Sequence, residues 1–423
     1  MRRLTTAAVV FASMALLLSG PAGATAAVSD SAVAAASVSA AQTGVRAAST
    51  RKFRIRPEAF GIHSYQSRPQ VPGESFRINC KPFWWGMNPG RGRYDWKIAD
   101  EFIAKVDSYG FEHVMFSFCQ TPVWAAKRGG PWGSDLRQAP PARMSDWTNF
   151  VRAFVSRYKD VIDDYELWNE ATSRFWWRGT PEEMVAMSVA AAKVIRVHDP
   201  SARIVSPSMQ CCQQIGWFKS FFPKFIRGMA AAGWPVDVLA FHTYTDRFQG
   251  LGLAEAVTQR AAALAVIRAA VSKARVPSRI ELWDTETNFL LPVTNRQSQA
   301  IVARTYLDSF RFRFARTYWY QWTQERGQWG INLRPGAPTV KTYARLQAWT
   351  SNATLKGCST SKQLVSCTFS RKGKAMRIAY STKLKGRASI RLDRRTRVCG
   401  VVNGRCISRR GNVSVGFEPV RIG

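Results

Sequence analysis

The chain is poor in the residues that build metal and redox centres. It has four histidines in 423 residues, no Cys-x-x-Cys pair and no His-Glu-x-x-His motif, so neither a zinc cluster nor a helical zinc hydrolase site is written into it. No metal and no cofactor is expected. Acidic residues are also scarce, with 28 Asp and Glu against 61 Lys and Arg for a formal net charge of +33. After the first 27 residues no apolar run approaches the roughly 20 residues a membrane-crossing helix needs, so no transmembrane segment is expected. Repeats of solenoid type are missing as well.

What is present begins with an export signal. Arg2 and Arg3 precede an apolar run from Ala7 to Leu18, and small residues follow from Gly20 to Ala27 with Ala-x-Ala sites at Ala24 and Ala26. This predicts a signal peptide over 1–27, followed by an Ala/Ser-rich spacer over 28–50. The mature chain is therefore expected to be secreted, or extracellular and associated with the cell envelope. Eight cysteines in an exported chain point to disulfides. Cys358 with Cys367 and Cys399 with Cys406 are close enough in sequence to close two hairpins, whereas Cys80, Cys119, Cys211 and Cys212 allow three pairings. The basic excess favours an anionic partner, and it is densest after residue 355, where 17 Lys and Arg face only Asp393 and Glu418. Such a charge speaks to association and not to fold.

Eight short β-like runs recur, at Ala59 to His63, Ser75 to Asn79, His113 to Phe118, Asp164 to Trp168, Ala202 to Ser206, Val236 to His242, Arg279 to Thr285 and Thr317 to Trp322. Helical patterns separate many of them. Ile98, Phe102, Val106 and Tyr109 share one face, and Trp147, Phe150, Val151, Phe154, Val155 and Tyr158 make another behind Ser145 as N-cap. Thr180, Pro181 and Glu183 form a capping box that starts a helix ended by Asp199-Pro200. Eight strands with intervening helices predict a (β/α)8 TIM barrel over 51–351. Beyond it, alternating runs and turns at Lys372-Gly373, Lys385-Gly386 and Asn403-Gly404 predict a small basic, disulfide-bonded all-β accessory domain over 352–423.

In such a barrel the strand ends meet on one face, so polar residues there are judged together. The fourth strand closes in Asn169-Glu170, and the seventh runs through Trp283-Asp284-Thr285-Glu286-Thr287-Asn288. Two carboxylates facing each other across a cleft are what glycoside hydrolysis requires. Glu170 and Glu286 are the candidates, with Asp284 competing for the second place. Side chains alternate on a regular strand, so Asn169 and Glu170 can both face a ligand only if that strand ends or bulges there. We expect it to end there. His63 and His242 fit either a ligand contact or a structural role, and Arg77 fits either bracing the barrel or orienting Glu286. Trp84, Trp85, Trp124, Trp176 and Trp177 fall in loops where an indole can serve as a sugar platform or as packing.

Tyr165-Glu166-Leu167-Trp168-Asn169-Glu170 and Thr285-Glu286-Thr287 resemble the acid/base and nucleophile motifs of the clan A glycoside hydrolases. The wider pattern is similar to family 39 and its bacterial exopolysaccharide-cleaving members: Phe60-Gly61-Ile62-His63, Phe76-Arg77-Ile78-Asn79, Tyr94-Asp95-Trp96, Thr121-Pro122-Val123-Trp124-Ala125 and Val205-Ser206-Pro207-Ser208. The closing Gly411-Asn412-Val413 to Pro419-Val420 is similar to the last strands of the β-domain attached to those barrels. The resemblance runs from about Phe53 to Gly423 and implies a retaining mechanism, with Glu170 as acid/base and Glu286 as nucleophile. It also implies that Asn169 binds the sugar 2-hydroxyl, that His242 and Tyr244 fix Glu286, and that Trp322 floors a sugar subsite. The sequence departs from the pattern at Asn288, where the family often has Gly, and over the aromatic-rich Cys80 to Gly90.

The function expected from these residues is a secreted retaining glycosidase that cleaves a cell-surface, wall or extracellular polysaccharide internally. The alternative is a non-catalytic envelope protein that holds an anionic polysaccharide on the same barrel. Export, disulfides and the lack of a nucleic-acid motif argue against a nucleic-acid partner.

Overall fold

The computed structural model describes residues 52–65, 67–131, 135–211, 215–245, 251–323 and 330–423. The expected signal peptide and spacer lie outside the described residues. In chain order the strands are β1 (Phe53–Arg54), β2 (Phe60–His63), β3 (Ser75–Asn79), β4 (His113–Ser117), β5 (Asp164–Glu166), β6 (Arg203–Val205), β7 (Met209–Gln210), β8 (Val238–His242), β9 (Glu281–Thr287) and β10 (Arg316–Trp319). The accessory strands are β11 (Thr354–Ser361), β12 (Leu364–Arg371), β13 (Lys374–Ser381), β14 (Ala388–Gly400), β15 (Cys406–Val415) and β16 (Val420–Ile422). The helices are α1 (Trp84–Met87), α2 (Lys97–Asp107), α3 (Met144–Tyr158), α4 (Pro181–His198), α5 (Ile215–Ala231), α6 (Leu253–Lys273), α7 (Asn295–Arg311) and α8 (Pro338–Thr350).

Strands β6, β5, β4, β3, β2, β10, β9 and β8 are parallel neighbours in that order, and a β6–β8 pairing at Val205 and Val238 closes the barrel. Strand β7 extends the fifth barrel position after Pro207 interrupts it, pairing with the end of β8. The barrel strands are short and buried except at end residues such as His113, Arg203 and Glu281, as parallel strands under a helical layer must be. Inside the barrel, Met115, Val205, Val238, Ala240, Trp283 and Tyr318 fill one layer, beside the buried pair Arg316–Asp164 at 2.6 Å.

The helical layer follows the apolar faces read from the sequence. Helix α3 buries Trp147, Phe150, Val151, Phe154, Val155 and Tyr158, and Trp84 stacks on Phe150 at 5.3 Å. Fully burying each such ring contributes roughly 1.5–3 kcal/mol. One expectation needs correcting here: α3 starts at Met144, with Arg143 as an N-cap that makes no side-chain bond, so Ser145 does not cap it. The capping box at Thr180 and Glu183 forms as expected, and α7 has a second box at Thr294 and Gln297.

Seven antiparallel strands in the order β1, β11, β12, β13, β16, β14 and β15 build the accessory sheet, so a strand that precedes the barrel in sequence joins the sheet that follows it. Lys372 and Gly373 both have positive φ, 48° and 76°, the two-residue turn that matches strand twist. Cys358 pairs with Cys367 and Cys399 with Cys406, each directly across an antiparallel ladder. Cys80 pairs with Cys119, tying together the chain just past β3 and β4. Cys211 is disulfide-bonded, and Cys212 lies outside the described residues. Sheet and barrel meet through Arg304, whose guanidinium lies 4.2 Å from the Phe417 ring and 5.0 Å from that of Tyr380. Nearer the rim, Arg296 pairs with Glu418 at 2.8 Å.

Candidate active site

The site begins with two breaks in strand regularity. Strand β5 ends at Glu166, and four residues later Glu170 adopts a left-handed backbone with φ of 47°, which a non-glycine residue rarely does without surrounding support. Asn169 and Glu170 therefore both face the barrel axis, which meets the condition set by the alternation argument. Asn169 Oδ1 accepts from Arg77 Nη2 at 2.9 Å, and Glu170 Oε1 lies 2.9 Å from His242 Nδ1.

The second break is in β9. Its register against β10 advances from Asp284–Thr317 to Thr287–Trp319, and its register against β8 slips between Phe241 and His242. The extra residue turns Thr285 and Glu286 to the interior together. Thr285 Oγ1 donates to Glu166 Oε1 at 2.7 Å, and Glu286 meets Arg77. Asp284 goes the other way, accepting from Arg260 of α6 at 2.6 Å and from Thr243 at 2.5 Å. It is thereby removed as a rival to Glu286.

Glu286 is 9% exposed and Glu170 is 8% exposed, so each is buried but reachable at the mouth. Glu286 Oε2 accepts from Arg77 Nη1 at 2.6 Å and from Asn79 Nδ2 at 3.0 Å, and Oε1 accepts from the Tyr244 hydroxyl at 2.5 Å. Burial pushes its carboxyl up, but His242, Arg77, the Tyr244 bond and His63 outweigh that and hold it below the ordinary carboxylate range. Burial and the neighbouring Glu286 charge raise the Tyr244 phenol well above its usual value, which keeps it a neutral donor. The His242 imidazole is opposed by burial, yet the carboxylates of Glu286 and Glu170 raise it above its ordinary value.

The residues expected to touch substrate divide. Arg77 is wholly buried and binds Glu166 through Nε at 3.1 Å and Nη2 at 2.5 Å while also holding Glu286, so it both braces the interior and orients the carboxylate. His63 is 1% exposed and bonds the Arg77 carbonyl through Nδ1 at 2.8 Å. His242 contacts Glu170 and not Glu286 by hydrogen bond, so Tyr244 alone of the expected pair fixes Glu286 directly. Trp322 is 1% exposed and donates to Ser67 Oγ at 3.1 Å, a packing position. The half-buried ring beside the site at the end of β10 is Tyr320, stacked on His63 at 4.8 Å and edge-on to Tyr244. Its ring stands edge-on to that of Tyr65 at 6.4 Å, and burial raises the Tyr65 phenol. Trp176 is half-buried in the loop after β5, under the exposed Phe175. Trp124 is half-buried and donates to the Asn88 carbonyl at 2.7 Å, away from the carboxylates. Trp84 and Trp85 lie in α1 and not in a loop; Trp84, like Trp177, is buried core, and half-buried Trp85 donates to Gln120 at 2.8 Å.

Asn79, Glu166, Tyr65 and Tyr320 are site residues that sequence reasoning passed over. Two had a readable signal: Asn79 stands two residues from Arg77 on one strand, hence on the same face, and Glu166 is a carboxylate inside an otherwise buried strand. Asn288, the departure after the nucleophile motif, locks the loop end, accepting from the Ile331 amide at 3.0 Å.

A carboxylate oxygen of Glu170, one of Glu286 and a nitrogen of His242 lie within 4.8 Å of one another, a spacing a cation could bridge. Such an ion would share Glu286 with the Arg77 guanidinium, and like charges so close in a buried site oppose each other. The donor set suits proton transfer better than metal binding.

A closed parallel barrel followed by an antiparallel sheet is a fold that this chain shares with solved glycoside hydrolases. A family 39 glycoside hydrolase from the gut symbiont Bacteroides cellulosilyticus WH2 superposes with a TM-score of 0.64 at 16% identity, over 87% of this chain and 81% of that one. A family 30 endoxylanase from Clostridium papyrosolvens C71 does so with a TM-score of 0.57 at 14% identity, over 88% and 97%. By sequence, 128 residues are 28% identical to endo-1,4-beta-xylanase A of Fusarium oxysporum f. sp. lycopersici, covering 30% of this chain. The chain thus spans about a third (36%) of the length of that curated relative. No family model matches the chain.

Proposed function

We propose that the protein is a retaining glycoside hydrolase that cleaves a polysaccharide through a covalent glycosyl-enzyme intermediate. The observation that carries this is the approach of the Glu170 and Glu286 carboxylates to within 4.8 Å. A nearest-oxygen approach this close supports the about 5–5.5 Å carboxyl separation of retaining pairs over the about 6.5–9.5 Å that an inverting pair needs to admit water.

Glu286 is held as an anion and supplies the nucleophile. Its carboxylate attacks the anomeric carbon as the bond to the leaving oxygen breaks, and that oxygen takes the proton from Glu170. In the second half, Glu170 takes a proton from water, the water oxygen attacks the same carbon, and the Glu286 carboxylate departs. Oε1, with one hydrogen bond against two on Oε2, is the more available oxygen. Asn169, locked by Arg77, is placed to meet the 2-hydroxyl beside the cleaved bond. A carboxylate displaced from the cleft would favour the non-catalytic alternative, and the approach of Glu170 to Glu286 supports the catalytic reading instead.

The finer reading extends this. The disulfides fit an exported enzyme released after removal of residues 1–27, at work outside the cell or on its envelope. The net charge of +33 fits an anionic polymer, and the exposed Phe175 beside Trp176 on the open loop after β5 fits internal cleavage. The xylanases among the similar proteins make xylan the first polymer to try.

The test is to incubate the protein with an activated 2-deoxy-2-fluoro xyloside and measure its intact mass. The expected result is a gain of one fluorosugar, mapped to Glu286 by peptide mass. Hydrolysis of unfluorinated substrate with no adduct and inverted product anomer would overturn the retaining assignment.

A further inference from the structure

A cavity of about 400 Å³ shares none of its lining residues with the Glu170–Glu286 site. It is built from the chain between α1 and α2, the loop after β4 and the outer face of α3, with Tyr94, Trp124, Asn149 and Arg152 among its walls. Its aromatic walls are held rigidly. Trp124 is fixed by its bond to the Asn88 carbonyl at 2.7 Å and by the Arg91 guanidinium 5.5 Å from its ring. Arg91 is itself clamped on Asp146 by two bonds of 2.8 and 3.1 Å. Tyr94 stacks on Trp96 at 5.1 Å with planes 13° apart, and its hydroxyl donates to the Asn149 carbonyl at 3.3 Å.

The charge in the cavity is unbalanced. Asp146 is its one acid, and Arg91 and Arg143 take both of its oxygens. Exposed Arg152 is left with no acidic partner within the cavity, close enough to Tyr94 for its charge to act on the phenol. Two half-buried aromatic rings, a side-chain amide and a cationic fork around a space of this size match a sugar ring that carries a planar anionic substituent. Rings offer faces to C–H groups, and a guanidinium pairs with a carboxylate in bidentate fashion.

We propose that this cavity is a second saccharide-binding site that takes a uronic acid unit of an anionic polysaccharide. It holds the polymer at a position separate from the one where a bond is cut. The proposal stands on the cavity alone and does not require Glu170 and Glu286 to be catalytic.

The experiment uses the full chain carrying Glu286→Gln, titrated calorimetrically with tetragalacturonate, xylotetraose and tetraglutamate at one ionic strength. Tetragalacturonate is expected to bind saturably and at least tenfold more tightly than the other two. Adding Arg152→Ala, an exposed position on α3, is expected to weaken it at least tenfold with no change in melting temperature. Tyr94→Ala is expected to weaken it as well and serves as a second variant. Tetraglutamate binding as tightly would reduce the site to charge alone, and xylotetraose binding as tightly would remove the anionic specificity. Binding unaltered by Arg152→Ala, or no saturable binding of tetragalacturonate, would overturn the assignment. With the Glu286 chain left intact, cleavage of an aryl glycoside should be unaltered by Arg152→Ala, and a matching fall there would place the cavity within the catalytic cleft and sink the proposal.

Discussion

Arg77 Nη1 stands 2.6 Å from Glu286 Oε2, while Nε and Nη2 of the same guanidinium bind Glu166 and Nη2 also donates to Asn169. All three groups are buried, so the ion pair at the mouth is supported from below by a second carboxylate that never meets solvent. A buried cation between two anions is stable only while its partners remain charged and well placed. Under the proposed mechanism Glu166 therefore acts on Glu286 through Arg77.

Glu166→Gln is expected to cost about 3–5 kcal/mol of stability, the usual penalty for removing one partner of a buried pair. It should also lower kcat/KM by roughly 10- to 100-fold, a consequence of misplacing a catalytic group by a fraction of its working distance. Loss of a negative charge below Arg77 leaves more positive charge facing Glu286, so the acidic limb of the pH profile should move to lower pH. A variant that is merely less stable, with an unmoved limb and unaltered kcat, would show Glu166 to be a brace only.

Tyr244→Phe acts on the same carboxylate with the opposite sign. The hydroxyl bond to Oε1 is one of the interactions that lower the Glu286 value, so removing it raises that value. Glu286, the proposed nucleophile, then becomes protonated at a higher pH, and the acidic limb of kcat/KM is expected to move upward. We expect a fall in kcat of roughly 10- to 100-fold with a small change in stability, in line with about 1.5–3 kcal/mol for a hydrogen bond to a charged group. A pH–rate series on wild type and variant reads both.

His63 gives a stability prediction. Burial lowers its pKa to about 3, against an ordinary 6.5, though Glu286 pulls the other way. The unfolded chain takes up a proton near pH 6.5 that the folded chain refuses until about pH 3, so the His63 contribution is complete above pH 6.5 and is lost as pH falls towards 3. The loss is on the order of a few kcal/mol. The difference in unfolding free energy between wild type and His63→Gln should narrow steadily across that window in urea titrations. A difference that stays constant with pH would mean that His63 is not buried neutral.

The barrel was legible because strands such as β2, β4 and β8 are short, mostly apolar runs between helix-period segments, a composition that burial on both faces favours. The same physics hid parts of the accessory sheet. Strand β14 runs on through Asp393, Arg394 and Arg395, all exposed, where two solvated faces erase the alternation. Strand β11, Thr-Leu-Lys-Gly-Cys-Ser-Thr-Ser, carries too little apolar character to announce itself. At the site, Glu170 and Glu286 were readable as carboxylates at strand ends, and the need for a break beside Glu170 followed from alternation. The break in β9 was not readable: whether Asp284 or Glu286 faces inward depends on one bulged residue, which registers against β8 and β10 impose. The Cys80–Cys119 pairing likewise follows only once β3 and β4 lie side by side.

Glu170→Gln separates the acid role from everything else that Glu170 does. Glutamine keeps an oxygen for His242 Nδ1, now 2.9 Å from Glu170 Oε1, and keeps the side-chain volume, so the left-handed turn at this residue should survive. It cannot give up a proton to the leaving oxygen. For a substrate with a poor leaving group, the first step should slow by about 10²–10⁴-fold, the usual worth of general acid catalysis. An activated aryl glycoside needs little protonation, so its first step should proceed nearly as before and the second step, which needs a base, should become limiting. A burst of aryl alcohol equal to the enzyme concentration is then expected, followed by slow turnover. Added azide, a nucleophile that needs no base, should restore turnover and yield the glycosyl azide. Equal slowing of both substrates with no burst and no azide product would assign the acid to another residue.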